Sequence, residues 1–317
     1  MIQTHLYPSA KVAIVGTGFV GSTAAYALMI NGAASEIALI DVNKNKAEGE
    51  ALDLRHCMQF THSVNIVAGD DFALVRDAAV VIIAAGVAQK PGQSRLELLK
   101  TNVAIFNDIV PRIVQHNPNC TLLVVTNPLD VLTYLTLKLS GFPSCRVLGT
   151  GTVLDTARFR YLIGTHFEIS PKDVVAYVLG EHGDSEFMWL SQANIAGIPL
   201  GELPGYSLKL MQQIHQETRD VVYQIIDKKG ATYYAIALVI AKIVRAIILD
   251  QSRVFTVSTL IEDLYGVRDV CLSVPTVVRK NGVCQRLPLI LSEEEQQQFR
   301  RSAKLVCDAI EQALGAQ

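Results

Sequence analysis

A strong excess of charge of either sign is missing from this 317-residue chain. Its 28 Lys and Arg stand against 30 Asp and Glu, for a formal net charge of −2. That balance supplies no field to draw a nucleic acid or an anionic membrane surface, so neither is expected as a partner. Charge is scarce in total as well: 18% of residues are charged and 50% hydrophobic, with a mean hydropathy of +0.29. Such a composition excludes a disordered chain, which combines low hydrophobicity with high net charge. Cysteine is too sparse for a disulfide framework. Cys57, Cys120, Cys145, Cys271, Cys284 and Cys307 form no C-x-x-C pair and no metal-ligand spacing, and are expected to be reduced, mostly buried thiols. The seven histidines form no ligand pattern either, so no metal is expected.

Long apolar runs are also absent. The run Ala78–Ala88 is shorter than the roughly 18–20 residues a membrane span needs, and Ala231–Leu249 is interrupted by Lys242 and Arg245. Met1–Ala10 lacks the basic-then-apolar layout of an export signal. A soluble, cytoplasmic protein with no membrane partner is expected. Repeats, low-complexity tracts and flexible linkers are lacking too, and the length suits two domains of roughly 150 residues each.

What is present is alternation. Lys11–Gly16, Glu36–Asp41, Val80–Ala85 and Thr121–Thr126 read as strands, each followed by a turn and a helical pattern; Val20, Ala24, Ala25, Leu28 and Met29 recur at helical spacing until Asn31-Gly32. Continuous Val and Ile runs suit a parallel sheet covered on both faces, and strand–helix alternation implies β-α-β units of a doubly wound α/β sheet. The second half differs. Val174–Leu179, Val254–Leu260 and Cys271–Val278 look like strands of a mixed sheet, and Leu208–Lys229, Thr232–Ile248 and Ser292–Leu314 like long helices. Ser292 makes a good N-cap, and Glu293–Glu295 favour the positive helix end. A boundary near Gly149–Thr152 is expected, with residues 1–150 as one domain and 151–317 as an α+β second domain in close contact with it.

Gly16-Thr-Gly18-Phe-Val-Gly21 follows the first strand and opens the first helix, and Asp41 ends the next strand about 20 residues further on. One glycine makes the tight turn, one lets backbone approach a pyrophosphate, and one lets helix and strand pack closely. The pyrophosphate would sit at the helix N-terminus. Asp41 would accept from both adenosine ribose hydroxyls and repel a 2′-phosphate, which favours NAD over NADP. The competing reading is a plain glycine turn beside an exposed strand-end acid.

Three further segments carry chemistry. Gly180-Glu-His182-Gly183-Asp sets a histidine, the side chain suited to proton exchange near neutral pH, beside flexible backbone. In Thr152-Val-Leu-Asp155-Thr-Ala-Arg158, Asp155 and Arg158 lie about 60° apart around a helix and share a face. The acid can orient His182 while the planar fork of Arg158 binds a carboxylate. Thr152-x-x-Asp155 also fits a capping box. Gly86-Val-Ala-Gln89-Lys-Pro-Gly-Gln-Ser-Arg95 reads as a mobile loop at the carboxyl edge of the sheet, from which Arg95 could close onto a substrate. Taken singly, each of these residues also has an ordinary structural or surface reading.

Taken together, GTGFVG, AGVAQKPGQSR, VTNPLDVLTY, GTGTVLDTARFR, GEHGDSE and KKGATYYAIA occur in one order, and the chain resembles the lactate/malate dehydrogenase family, bacterial type, over about Lys11 to Leu314. The resemblance implies a Rossmann NAD-binding domain, a substrate domain, and reversible hydride transfer between NADH and pyruvate giving (S)-lactate. It implies that His182 donates the proton during reduction, that Asp155 holds its tautomer, that Arg158 pairs with the substrate carboxylate and that Arg95 polarises the ketone. It places Asn127 between cofactor and substrate and Thr232 in the substrate pocket. It sets Gly86 and Val87 along the cofactor, Val20, Asp41 and Lys46 on its adenosine side, and Phe72, Asp108, Val125 and Thr150 at further cofactor contacts.

Residue 89 separates the family's branches. Gln89 is neutral and would leave a second substrate carboxylate unpaired, which favours the lactate branch over the malate branch, and Thr232 fits the same choice. A malate dehydrogenase, an enzyme for a bulkier 2-hydroxy acid, and a non-catalytic NAD-binding protein are the alternatives; the last has no need of His182, Asp155, Arg158 and Arg95 together. Many relatives of bacterial type bind fructose 1,6-bisphosphate at a subunit interface through an arginine and a histidine. Arg160, about 200° around the helix from Arg158, holds the arginine position, but Val175 stands where the histidine would be. Activation by this sugar is therefore expected to be weak or absent, and the family's homotetramer to form without a long N-terminal arm.

Overall fold

The computed structural model describes residues 10–87 and 95–314, with the backbone alone for Arg95 and Leu314. In chain order the first half runs β1 Lys11–Val15, α1 Phe19–Ile30, β2 Glu36–Ile40, α2 Lys44–His56, β3 Asn65–Gly69, β4 Ala78–Ile83, α3 Arg95–His116, β5 Thr121–Val124, α4 Leu129–Ser140 and β6 Val147–Gly149. The second half runs α5 Val153–His166, five two-residue strands (β7 Val174–Val175, β8 Val178–Leu179, β9 Phe187–Met188, β10 Asn194–Ile195, β11 Ile198–Pro199), α6 Leu208–Lys229, α7 Tyr234–Ile248, β12 Arg253–Ile261, β13 Val270–Arg279, β14 Gly282–Arg286 and α8 Glu293–Leu314.

Nine strands form one sheet in the order β14-β13-β12-β6-β5-β4-β1-β2-β3. The six from β3 to β6 are parallel, and β12, β13 and β14 continue the sheet as antiparallel strands. Strand order reverses between β1 and β4, which opens a crevice at their carboxyl ends, where ligands bind in such sheets. The sheet does not stop at residue 150: Gly149 on β6 pairs with Ser258 on β12.

Both faces of the parallel sheet are buried, and the two-residue side-chain period divides them. Ala13 and Val15 face one core with Phe106 of α3, Leu132 of α4 and Phe299 of α8; Val12 and Ile14 face another with Leu28 of α1 and Ile240 of α7. A third core joins Phe159 and Ile163 of α5 to Met211 and Ile214 of α6. At the start of α8 the Ser292 amide donates to Glu295 Oε2 (2.8 Å) and the Glu295 amide to Ser292 Oγ (3.3 Å), a reciprocal capping box.

The structure departs from the sequence reading in several places. β3 and β6 join the parallel sheet but were not expected as strands. Val174–Leu179 is not one strand: β7 pairs with β10 and β8 with β9, because Val178 packs into the α5–α6 core while Leu179 turns to the core beneath α8. Of the six cysteines, all free thiols, only Cys120 and Cys271 are fully buried; Cys284 lies exposed on the edge strand β14. Among the described residues no helix is long and apolar enough to cross a membrane.

Candidate active site

The phosphate loop is shaped by its first and third glycines. Gly16 has φ +97°, a conformation L side chains rarely adopt, and its amide donates to Ile40 O at 2.7 Å. A Cβ on Gly21 would lie 1.9 Å from Gly16 O, so helix and strand can pack this closely only with glycine there. A Cβ on Gly18 would meet nothing within 4 Å. Gly18 is the N-cap of α1 and no acidic residue occupies the first turn, so the open surface there is a positive helix end with room for an anion.

Asp41 follows β2. Its Oδ2 accepts from the Thr17 amide (2.7 Å) and hydroxyl (2.9 Å), and its Oδ1 from the Asn43 amide (3.0 Å). Partial burial raises its pKa, but the Asn43 and Thr17 hydrogen bonds and the nearby Lys46 charge outweigh it, so the carboxyl sits below its usual range and stays ionised. These residues fit the pyrophosphate and ribose of a dinucleotide.

The sequence-predicted Val20, Val125, Asn127, Thr150, Asp155, Arg158, His182 and Thr232 all line one cleft of about 670 Å³. His182 Nδ1 lies 2.6 Å from Asp155 Oδ2, and Arg158 Nη1 donates to Asp155 Oδ1 at 3.0 Å. Thr152 is the N-cap residue of α5, but its side chain makes no capping bond: its hydroxyl donates to Val178 O, and Asp155 turns to His182 instead of back to the helix start. The capping-box reading therefore fails. Burial opposes a charge on His182, yet the Asp155 carboxylate, with smaller contributions from Glu186 and Asp130, overrides it and lifts the imidazole to about 9. Burial likewise opposes the charge on Asp155, but His182 and Arg158 keep its carboxyl below the usual range. The result is an imidazolium held by a carboxylate, beside a guanidinium only 14% exposed, all facing one cleft. Such a site can bind a small carboxylate and pass a proton to an adjacent oxygen. Asp155, His182 and Glu186 also bring one metal-ligand-type atom each within 4.8 Å of one another, but a cation there would have to displace the His182–Asp155 hydrogen bond.

Other predicted residues lie elsewhere. Gly86 and Val87 follow β4 at the crevice; a Cβ on Gly86 would meet Thr126 Cγ2 at 2.3 Å. Phe72 is buried under the Arg112 guanidinium (4.1 Å to the ring centroid), and Arg112 in turn donates to Asp108 (3.2 Å) on the exposed face of α3. Arg160 points away from the cleft: its Nε donates to Ala176 O at 2.7 Å, and its guanidinium stacks on Tyr177 beside half-exposed Val175. Gln89 and the Arg95 side chain lie outside the described residues.

Four supporting features were missed. Asp130 on α4 is buried; it accepts the His182 amide (2.7 Å) and the Ser258 hydroxyl (2.6 Å), and burial pushes it up to about 7. Gly180 exchanges two backbone hydrogen bonds with Ser273 of β13, so the catalytic loop is pinned from both sides. Fully buried Asn102 accepts the Val87 amide (2.9 Å) and donates to Asn127 O (2.7 Å), which ties the β4 and β5 crevice loops together. Glu186 and His215 form a buried pair at the back of the cleft. A carboxylate inside the otherwise apolar run after Pro128 was the one local signal for Asp130; the others follow only from three-dimensional proximity.

The family model described as lactate/malate dehydrogenase, NAD binding domain, matches residues 10–149, and the one described as lactate/malate dehydrogenase, alpha/beta C-terminal domain, matches residues 152–316. L-lactate dehydrogenase 1 of Clostridium acetobutylicum is 48% identical over 306 residues, covering 95% of this chain and 97% of that protein. The L-lactate dehydrogenase of Acetivibrio thermocellus is 48% identical over 308 residues, covering 95% and 96%. Among solved structures, a lactate dehydrogenase from a Medee basin deep-sea metagenome library superposes with a TM-score of 0.93 at 40% identity, covering 96% of this chain and 99% of that one. The minor L-lactate dehydrogenase from Enterococcus mundtii in its ligand-bound form gives 0.92 at 40% identity, covering 96% and 98%.

Proposed function

This chain belongs to the lactate/malate dehydrogenase family, and from that premise we propose how its cleft carries out the chemistry of an NAD-dependent L-lactate dehydrogenase, with pyruvate as the acid it reduces. The enzyme is an oxidoreductase with L-lactate dehydrogenase activity and uses NAD. The observation that carries the residue assignment is the His182–Asp155–Arg158 constellation within one cleft. Residues 1–150 hold the cofactor, and residues 151–317 supply the acid–base and carboxylate-binding groups.

Gly16, Gly18 and Gly21 shape the pyrophosphate seat, and Asp41 takes the ribose hydroxyls. When bound, the nicotinamide supplies or takes up the hydride. Arg158 grips the pyruvate carboxylate with a planar fork that Asp155 orients from one side. As negative charge develops on the ketone oxygen, His182 donates its Nε2 proton there while Asp155 keeps Nδ1–H in place and stabilises the imidazolium. Arg95 polarises the same oxygen. In the reverse direction neutral His182 accepts the lactate hydroxyl proton. Asp130 holds the His182 backbone still.

The neutral side chain of Gln89 supports pyruvate over oxaloacetate. Val175 at the effector position, and an Arg160 already engaged by Ala176 O and Tyr177, support weak or absent activation by fructose 1,6-bisphosphate. Tyr161 and Val175, both exposed beside Arg160, support a face buried between copies of the chain, in keeping with a cytoplasmic homotetramer. The test is NADH oxidation with pyruvate and oxaloacetate in parallel, each with and without the sugar bisphosphate. A pyruvate preference unaffected by the sugar is expected. A preference for oxaloacetate overturns the role of Gln89, a large fall in pyruvate KM with the sugar overturns the regulatory reading, and no turnover overturns the site assignment.

A further inference from the structure

Behind His182 the structure holds two titratable groups that the mechanism above does not use. Glu186, at the end of the catalytic loop, and His215, on α6, are both more than nine-tenths buried. Glu186 Oε1 and His215 Nε2 lie 3.5 Å apart, and neither atom has any hydrogen-bond partner. Donor atoms of Glu186, Asp155 and His182 all fall within 4.8 Å of one another. The charged and titratable groups facing this pair are Asp155 and Arg158 on α5, His182 on the loop and Arg219 on α6; Asp130 on α4 faces His182, with Glu181 beyond it. Arg219 lines the same cleft but donates to Asp184 O and Gln216 Oε1 and forms no ion pair with the Glu186 carboxylate.

Two buried groups of nominally opposite charge at this spacing suggest an ion pair. The surroundings argue otherwise. Burial, reinforced by the Asp155 anion, raises Glu186 well above the ordinary carboxyl range, and burial together with Arg219 lowers His215 to about 4. Both shifts run toward a carboxylic acid facing a neutral imidazole and away from an ion pair. A hydroxyl donor opposite a ring-nitrogen acceptor is complementary only when one proton lies between them.

We propose that Glu186 and His215 form a one-proton pair that sets the proton affinity of His182, which makes Glu186 a positioning residue for the acid–base step. While the pair keeps its proton, Asp155 is the main anion acting on the catalytic imidazole. When the pair loses it on the alkaline side, a second carboxylate anion stands within 5 Å of His182, and His182 retains its proton to higher pH. The device prolongs pyruvate reduction, which consumes that proton, and delays lactate oxidation, which needs the neutral ring. These groups titrate as a coupled set, so the observable is the limb of a pH profile.

The inference rests on His182 being the proton donor, and the experiment separates the two. The pH profiles of kcat/KM for pyruvate and for lactate are measured on the full-length enzyme and on Glu186→Gln, an isosteric change that keeps a donor toward His215. The alkaline limb for pyruvate and the onset for lactate should both move down by about one pH unit. Coincident limbs with a uniform drop in kcat mean a packing role and overturn the proposal while leaving His182 in place. Wild-type enzyme inactive on pyruvate instead overturns the functional reading. In parallel, nitrogen NMR of histidine-labelled wild-type enzyme, with the His215 signal assigned by its loss in His215→Gln, should show a neutral ring at pH 6. A protonated ring there means an ion pair and refutes the one-proton pair, whether or not Glu186→Gln folds.

Discussion

Asp155→Asn removes the charge that keeps His182 protonated and leaves a side chain of the same shape. In the intact enzyme the carboxylate lies 2.6 Å from Nδ1 and lifts the imidazole from an ordinary 6.5 to about 9 against the opposing pull of burial. Without it, burial and the newly uncompensated Arg158 both act against the imidazolium, so His182 should titrate at or below 6.5. The alkaline limb of kcat/KM for pyruvate then falls by two pH units or more. At pH 8 the protonated fraction alone costs about 30-fold, before any loss from a misoriented ring. Stability changes in the same direction. A histidine whose folded pKa exceeds its unfolded one stabilises the fold fully below about 6.5, and that contribution is lost as pH rises through about 9. At about 1.4 kcal/mol per unit the ceiling is about 3.5 kcal/mol, reduced because 26% of the imidazole faces the cleft. The Tm gap between wild type and Asp155→Asn should be widest below pH 6.5 and narrow toward pH 9.5. A pyruvate limb within about half a unit of wild type refutes the reasoning.

Arg158→Lys should raise the pyruvate KM by about 10- to 150-fold with a smaller change in kcat, since one hydrogen bond of a charged pair is worth about 1.5–3 kcal/mol and burial of the single methyl only about 1; a KM within about threefold of wild type sinks the carboxylate assignment. Two tests of the phosphate loop should diverge: Gly18→Ala keeps a wild-type Tm and weakens NADH binding about tenfold or more, whereas Gly21→Ala, whose Cβ would meet Gly16 O, loses the fold. Equal Tm losses in both would remove the argument for an open pyrophosphate seat at Gly18. Ser258→Ala strips one of the two hydrogen bonds from buried Asp130 and should cost about 1–3 kcal/mol, read as a Tm lower by several degrees; an unchanged Tm would mean Asp130 finds another partner.

Much of this molecule could be read from the chain. Four of the six parallel strands were legible because a strand buried on both faces is an unbroken apolar run, and α6, α7 and α8 because of their length, with Ser207 and Ser292 capping α6 and α8. β3 and β6 were not. Asn65–Gly69 is half exposed and short of branched residues at its ends, and Val147–Gly149 has only three residues; each becomes a strand because a neighbour offers a ladder. The groups that do chemistry carry a motif and were found, while those that hold them were not. Asp130 sits inside a helix that reads as core, Asn102 inside a plain amphipathic one, and Ser258 inside a strand of small polar and apolar residues. Their roles arise from partners distant in sequence, with Ser258 and Asp130 separated by 128 positions. His215 illustrates the limit: nothing within α6 marks it, and its meaning comes entirely from Glu186.

Two of the three cores draw on both halves of the chain. Leu28 and Ile240 share one, and Leu132 and Phe299 the other, while β12 closes onto β6. The halves that separate family models match should therefore unfold as one unit. Cutting between them would strand an apolar face on each side, and heat should melt both in a single cooperative transition, with the calorimetric and van't Hoff enthalpies equal within each folded chain. The cofactor seat and the proton donor then cannot loosen independently: a substitution that weakens either core lowers the occupancy of both together, and the enzyme population divides into complete active sites and none.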